Sequence, residues 1–182
     1  MRRLLLFLLF LGLLAAGAYY GAVRYVAPKE ELTLDYKPFD LAGKVLQMVE
    51  ERRLTLVISD EELNSLLVSR LAAEPAPHPD VRITGARFTR EAELLHADVN
   101  LVIRERWKAG VRFDYRLEWD KPYLQARFEQ ATIRGNSLPQ GLLSIPDVSV
   151  QIEELLPPLV GIKVIDLSGK DIAVAFQVQL GK

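Results

Sequence analysis

The chain of 182 residues contains no cysteine. That excludes a disulfide framework, a thiolate metal site, a cysteine nucleophile and a lipidated N-terminal cysteine. Histidine is scarce, with His78 and His96 alone, so imidazole chemistry has two places to occur. The sequence has no H-E-x-x-H pair, EF-hand loop, G-x-x-x-x-G-K-S/T phosphate loop or G-x-S-x-G nucleophile turn. No metal, cofactor or catalytic residue is therefore expected. A strong charge of one sign is also missing, the formal net charge being -1. Setting aside Arg2, Arg3 and Arg24 leaves 20 basic against 24 acidic residues, a net of -4. Such a domain repels nucleic acid, and none is expected as a partner. Apolar side chains are plentiful, at 49% against 26% charged, which is the balance of a folded domain rather than a disordered one.

The longest apolar run is at the start. No charge occurs from Leu4 to Val23, 20 residues, against the roughly 20 that cross a bilayer core of about 30 Å. Tyr19 and Tyr20 stand near one end, where aromatic side chains meet headgroups. Residues 1–24 read as a transmembrane signal-anchor through which the chain meets the membrane. The competing reading is a cleaved signal peptide, with Arg2 and Arg3 as its basic start and cleavage after Ala18 in Ala16-Gly17-Ala18. Basic residues flank both ends of the run, and the resemblance of the start to an export signal favours the N-terminus inside and the domain outside. Residues 25–37 then form a short, polar, extended tether, and residues 38–182 an extracytoplasmic α+β domain at the cell membrane.

Within that domain Leu41, Val45, Met48 and Val49 recur at helical spacing, and Leu54 to Ile58 is a short β-branched strand. In "SDEELNSLLVSRL" Ser59 and Glu62 form a capping box, and Leu63, Leu66, Leu67 and Leu71 make an apolar stripe. "AAEPAPHPD" is a proline-rich loop with His78 exposed in it. From Val81 the period becomes two. A strand bends near Gly85, Ala97 to Ile103 alternates, and "WKAG" at Trp107 to Gly110 reads as a tight turn. In "VRFDYRLEW" Val111, Phe113, Tyr115, Leu117 and Trp119 point one way, while Arg112, Asp114, Arg116 and Glu118 point the other. "WDKP" is another turn. "YLQARFEQATIRG" alternates with a slip that predicts a bulge at Glu129 or Gln130. Leu138, Leu142 and Leu143 suggest a short turn. Val148, Ile152 and Leu155 or Leu156 are spaced as a third helix, and a hairpin turning at "SGKD" closes the chain, with Val174 and Phe176 expected on the same sheet face as Phe113 and Trp119. The fold class expected is α+β: an N-terminal transmembrane helix, then a curved antiparallel sheet of about six strands packed on two or three helices.

The order of a span, a "DEELNSLL" helix, hairpins with "GVRFDYRLEW" and "ATIRGNSLP", a closing helix and a final "GIKVIDLSGKDIAV" hairpin resembles the YpmS-like family of small membrane-anchored proteins of Gram-positive bacteria. The resemblance covers nearly the whole chain and rests on patterns of hydrophobicity and turns. It implies a single-span protein with an extracytoplasmic domain and assigns no catalytic residue. The layout also resembles tubular lipid-binding domains in architecture, which does not fix function.

Two surfaces follow as candidates. The apolar face of Phe113, Tyr115, Leu117, Trp119 and Phe128 either packs under the chain's own elements or leaves a groove for an apolar ligand. Trp107 and Lys108, beside Arg104 and Arg106, are the residues expected to touch a membrane surface. The function expected is a non-enzymatic, membrane-anchored envelope protein whose domain binds or presents a lipid-like ligand. The alternative is a scaffold or interaction domain for an envelope partner protein or cell-wall polymer at the outer membrane face, with Trp107 and the "AAEPAPHP" loop as its patch. A hydrolase using His96 comes last, and would require a serine and a carboxylate beside that imidazole in a cleft.

Overall fold

A chain that alternates for fifty residues must place half its side chains on each face of a sheet, and the apolar half must be covered. The computed structural model, which describes residues 2–51, 53–139, 145–151 and 160–178, shows how. Helices α1 (Arg2–Val26) and α2 (Leu41–Glu50) come first, then β1 (Thr55–Ile58) and α3 (Asp60–Ala73). A meander follows of β2 (Val81–Glu91), β3 (Leu94–Ile103), β4 (Trp107–Asp120), β5 (Tyr123–Ile133) and β6 (Asn136–Ser137). The remaining strands are β7 (Val148–Gln151), β8 (Val160–Asp166) and β9 (Ile172–Val178).

The architecture is α+β, with a six-stranded antiparallel sheet and a few helices. The large sheet runs β2-β3-β4-β5, with β6 and β7 on successive stretches of the far side of β5. The expected bulge is present: Tyr115 pairs with Phe128 and Asp114 with Gln130, leaving Glu129 as the extra residue. The bend near Gly85 is a second irregularity, where Ile83 pairs with Leu101 and Gly85 with Asn100.

Three expectations are corrected. The final hairpin does not extend the large sheet. It forms a separate three-stranded sheet in the order β1-β9-β8, so Val174 and Phe176 face the large sheet rather than belong to it. Val148 begins a strand rather than a helix: β7 pairs with Tyr123–Ala126, because that side of β5 has backbone groups to satisfy. Ile152, Leu155 and Leu156, on which the helical spacing depended, lie outside the described residues, as do Leu142, Leu143 and Leu180. "WKAG" is not a turn. The chain reverses at Arg104–Arg106, and Trp107, Ala109 and Val111 already alternate in β4.

The dry face is covered in two halves. Toward β1, β8 and β9, Leu95 and Leu117 of the large sheet pack with Val45 and Met48 of α2, Leu56 of β1, and Ile162, Val174 and Phe176 of the small sheet. Toward α3, Ile83, Ala86, Ala97 and Val99 pack with Val68. Leu63 and Leu67 join the first cluster and Leu71 the second, so α3 spans both. Its start is fixed by the capping box: the Glu62 N–H donates to Ser59 Oγ, and the Ser59 N–H donates to Glu62 Oε2 at 2.9 Å. Lys44 of α2 adds an ion pair to Glu62 at 2.6 Å.

One buried cation joins the layers. Arg90, on β2, donates from Nη1 to the carbonyl oxygens of Ala92 and Leu167 and from Nη2 to those of Gly169 and Lys170. Its Nε lies 3.6 Å from Asp60 Oδ1 at the start of α3. The guanidinium thus ties the large sheet to the β8–β9 turn and to α3. α1 extends over 25 residues. Its side chains are described from residue 13 onward, and among the described residues no helix is long and apolar enough to cross a membrane. Arg90→Leu is expected to lower the unfolding free energy by about 3 kcal/mol, because buried carbonyls lose a charged donor. A shift of the urea midpoint at unchanged slope measures it.

Candidate functional site

The tether is not free chain. Residues 28–34 cross the polar face of the large sheet as a strap and turn around its β2 edge. Pro28 lies over Gly110, where an added Cβ would sit 2.8 Å from Pro28 Cα. The Glu30 carbonyl accepts from Asn100 Nδ2 at 2.8 Å. Leu32 lies over Gly85 so closely that a Cβ there would overlap the Leu32 carbonyl oxygen. The Thr33 carbonyl accepts from the Ala86 N–H at 3.2 Å, and Leu34 joins the core on the other side. Gly85 and Gly110 are glycine because another backbone passes there, which is a recognised use of glycine inside strands.

The strap also finishes an edge. A strand at the edge of a sheet leaves N–H groups that invite pairing with another chain. On β2 the Ala86 N–H is taken by Thr33, the Ile83 N–H by the Pro75 carbonyl at 2.7 Å, and the Phe88 N–H by Asn64 Oδ1 at 2.8 Å. Asn64 and the proline-rich loop thus act as edge covers. His78 is exposed, and its Nδ1 accepts from the Asp80 N–H at 3.2 Å.

Between strap and sheet lies a cleft of about 390 Å³. Its charged lining comes from the strap (Lys29, Glu30), β2 (Arg87), β3 (Asp98), β4 (Arg112) and the β5–β6 turn (Arg134). Arg112 grips Asp98 with two parallel bonds, Nε to Oδ1 and Nη2 to Oδ2, both 2.8 Å. Arg87 pairs with Glu30. These hydrogen bonds hold both guanidinium pKa values above their usual range, and the Arg87 bond holds the Glu30 carboxyl below its own. Arg134 reaches the Arg24 carbonyl at 2.9 Å and lies over the Tyr25 ring, 5.8 Å from its centroid.

The sequence-derived candidates separate. Phe113, Tyr115, Leu117 and Trp119 share the dry face as expected, but the chain covers most of it. Leu117 is 5% exposed, Phe113 packs on the α3 side, and Tyr115 and Trp119 pack on the small-sheet side. Phe128 meets the Tyr115 ring edge-on at 5.8 Å. Burial raises the Tyr115 hydroxyl pKa, with the Asp147 carboxylate adding to it. Where the sheets part, Leu117 and Trp119 face Val164 and Ile165 across an open notch of about 700 Å³.

Trp107 packs edge-on against Tyr19 of α1, the ring centroids 5.3 Å apart, with the Arg106 guanidinium 5.1 Å from its centroid. Lys108 instead points to Glu31 of the strap, 3.9 Å away. His96 Nδ1 lies 2.6 Å from Asp114 Oδ1; Gln130 Nε2 donates to Asp114 Oδ2 at 2.8 Å, and Ser137 Oγ donates to Gln130 Oε1 at 3.1 Å. This polar row crosses β3, β4, β5 and β6. Among the described residues no hydroxyl bonds to His96 and no three acidic or histidine side chains converge as a metal site. Sequence reasoning missed the cleft and Arg90. The one available signal for the cleft was glycine at positions 85 and 110 inside alternating runs.

Compared with protein-family models, with curated proteins and with solved structures, the chain matches none of them. Phe113→Asp and Trp119→Asp each put a carboxylate into packed apolar surroundings and are expected to unfold the domain. Circular dichroism checks this: a folded variant would mean that the face is open enough to hydrate the charge.

Proposed function

We propose that the chain is a non-enzymatic, membrane-anchored envelope protein whose domain is held against the outer face of a bilayer by α1 and the strap. The observation that carries this reading is the packing of Trp107 on Tyr19. Tyr19 stands four residues before the end of the uncharged run at Val23, about 6 Å along a helix axis. That depth falls near the headgroup zone, where tryptophan, tyrosine and arginine side chains concentrate. Arg106 over the Trp107 ring and Arg24 at the end of α1 add cations at the same level. The uncharged run from Leu4 to Val23, 20 residues, matches the roughly 20 that a hydrocarbon core of about 30 Å requires.

A lipid-like ligand on the Phe113 to Trp119 face would enter at the notch beside Trp119, since the rest of that face is packed. The second reading, an interaction domain, draws support from β7, where Val148 and Val150 are exposed beside Tyr123. The hydrolase reading using His96 lacks a hydroxyl partner among the described residues.

The test uses the full chain carrying Trp119→Phe, which leaves Trp107 as its single tryptophan, reconstituted in vesicles. Lipids spin-labelled at the headgroup are expected to quench Trp107 more strongly than lipids labelled at the chain end. Absence of quenching by either label would contradict the placement.

A further inference from the structure

We infer that the cleft between the strap and the polar face is a binding site for a phosphate-bearing anion. Its charged lining is Lys29, Arg87, Arg112 and Arg134 against Glu30 and Asp98, a local net of +2. The rest of the chain is not basic, since the whole protein carries -1. The two carboxylates are already used, Glu30 by Arg87 and Asp98 by Arg112. What remains is Lys29, exposed on the strap, and the free donors of Arg134, whose known bond is to a neutral carbonyl.

The remaining donors arrive from two sides, Lys29 on the strap and Arg134 on the β5–β6 turn, with the Arg87–Glu30 and Arg112–Asp98 pairs of β2 and β4 lining the wall between them. A planar carboxylate is matched by one arginine fork, as Asp98 is by Arg112. A tetrahedral phosphate offers oxygens in several directions and suits cations that converge from separate elements. The cleft volume of about 390 Å³ lies in the range of small-molecule sites, roughly 300–1,000 Å³, and admits a group such as glycerol phosphate.

The turn that supplies Arg134 is a further sign. Arg134 and Gly135 have φ of 53° and 84°, the mirror-image turn that joins two strands most tightly and that favours asparagine or glycine at its first position. Arginine there holds a left-handed backbone that any β-carbon disfavours. That backbone aims a guanidinium at the cleft mouth beside the end of α1.

Two sources carry this chemistry: the headgroup of an anionic phospholipid and a free small phosphate ester. The site itself stands on the cleft geometry. Only the headgroup source rests on the membrane reading, because it requires the end of α1 to lie at the bilayer surface.

The experiment uses the full chain in maltoside micelles, which carry no phosphate, titrated calorimetrically with glycerol 3-phosphate and separately with acetate. Saturable heat with the phosphate ester and none with acetate is expected. Lys29→Gln and Arg134→Gly should each weaken binding by about tenfold, a lost charge-assisted contact. Glycine suits the turn, so Arg134→Gly should melt no lower than the parent, which separates lost binding from lost folding. The same titration in nanodiscs containing phosphatidylglycerol then assigns the source. Heat abolished there means that the headgroup occupies the site, and heat retained means a free ester. No saturable heat in micelles, equal heat with acetate, or full binding by both variants would overturn the proposal. Failure of the membrane reading shows elsewhere, as a chain that stays in solution when its detergent is removed.

Discussion

The passage of residues 28–34 across the large sheet is the constraint on which the rest of this structure depends. Two strands must present bare backbone for it, so Gly85 and Gly110 stand opposite Leu32 and Pro28. Asn100, between them, turns its amide to the Glu30 carbonyl. In return the strap supplies a hydrogen-bond acceptor to the β2 edge, a leucine to the core and one wall of a cationic cleft. It also removes the freedom that a tether would leave between α1 and the domain. Arg134 of the β5–β6 turn and Asn136 of β6 bond to the Arg24 carbonyl and to the Tyr25 hydroxyl, and Trp107 meets Tyr19. Helix and sheet are joined at several points along one line.

The packing beneath follows a different logic. A six-stranded sheet with one aromatic face needs a second layer, and α2 and α3 supply only part of it. The chain closes the layer with a three-stranded sheet built from its two ends, β1 from before α3 and β8–β9 from the C-terminal part. Long-range pairing of this sort gives little local specification, and Arg90 supplies some of what is missing by reaching four carbonyls. A buried guanidinium is costly without partners, so its four acceptors define one docked arrangement of the layers.

Much of the local structure was legible. Alternation in "VRFDYRLEW", the capping box at Ser59 and Glu62, and the slip near Glu129 each express a rule that acts within a few residues. What was not legible depends on residues far apart. "LTLVI" and the final hairpin read as strands, but nothing in their period says which sheet they join. Gly110 after "WKA" has the composition of a turn, and only the approach of Pro28 from eighty residues away explains it as a strand residue. Val148 fitted a helical period because its neighbours did, while the free side of β5 decided for a strand. The cleft was invisible for the same reason: its cations come from positions 29, 87, 112 and 134, and no spacing rule connects them. The aromatic face was visible, but whether it is covered was a question about the other end of the chain.

The central claim is that α1 and the domain form one body. The absence of cysteine makes this directly measurable, since spin labels can be placed without background reaction. Ala22→Cys on α1 and Lys163→Cys on the small sheet, both exposed, would carry the labels in the full chain in nanodiscs, read by double electron–electron resonance. The account predicts a single narrow distance distribution. A broad or multimodal distribution would show that residues 28–34 act as a loose tether, and would contradict it.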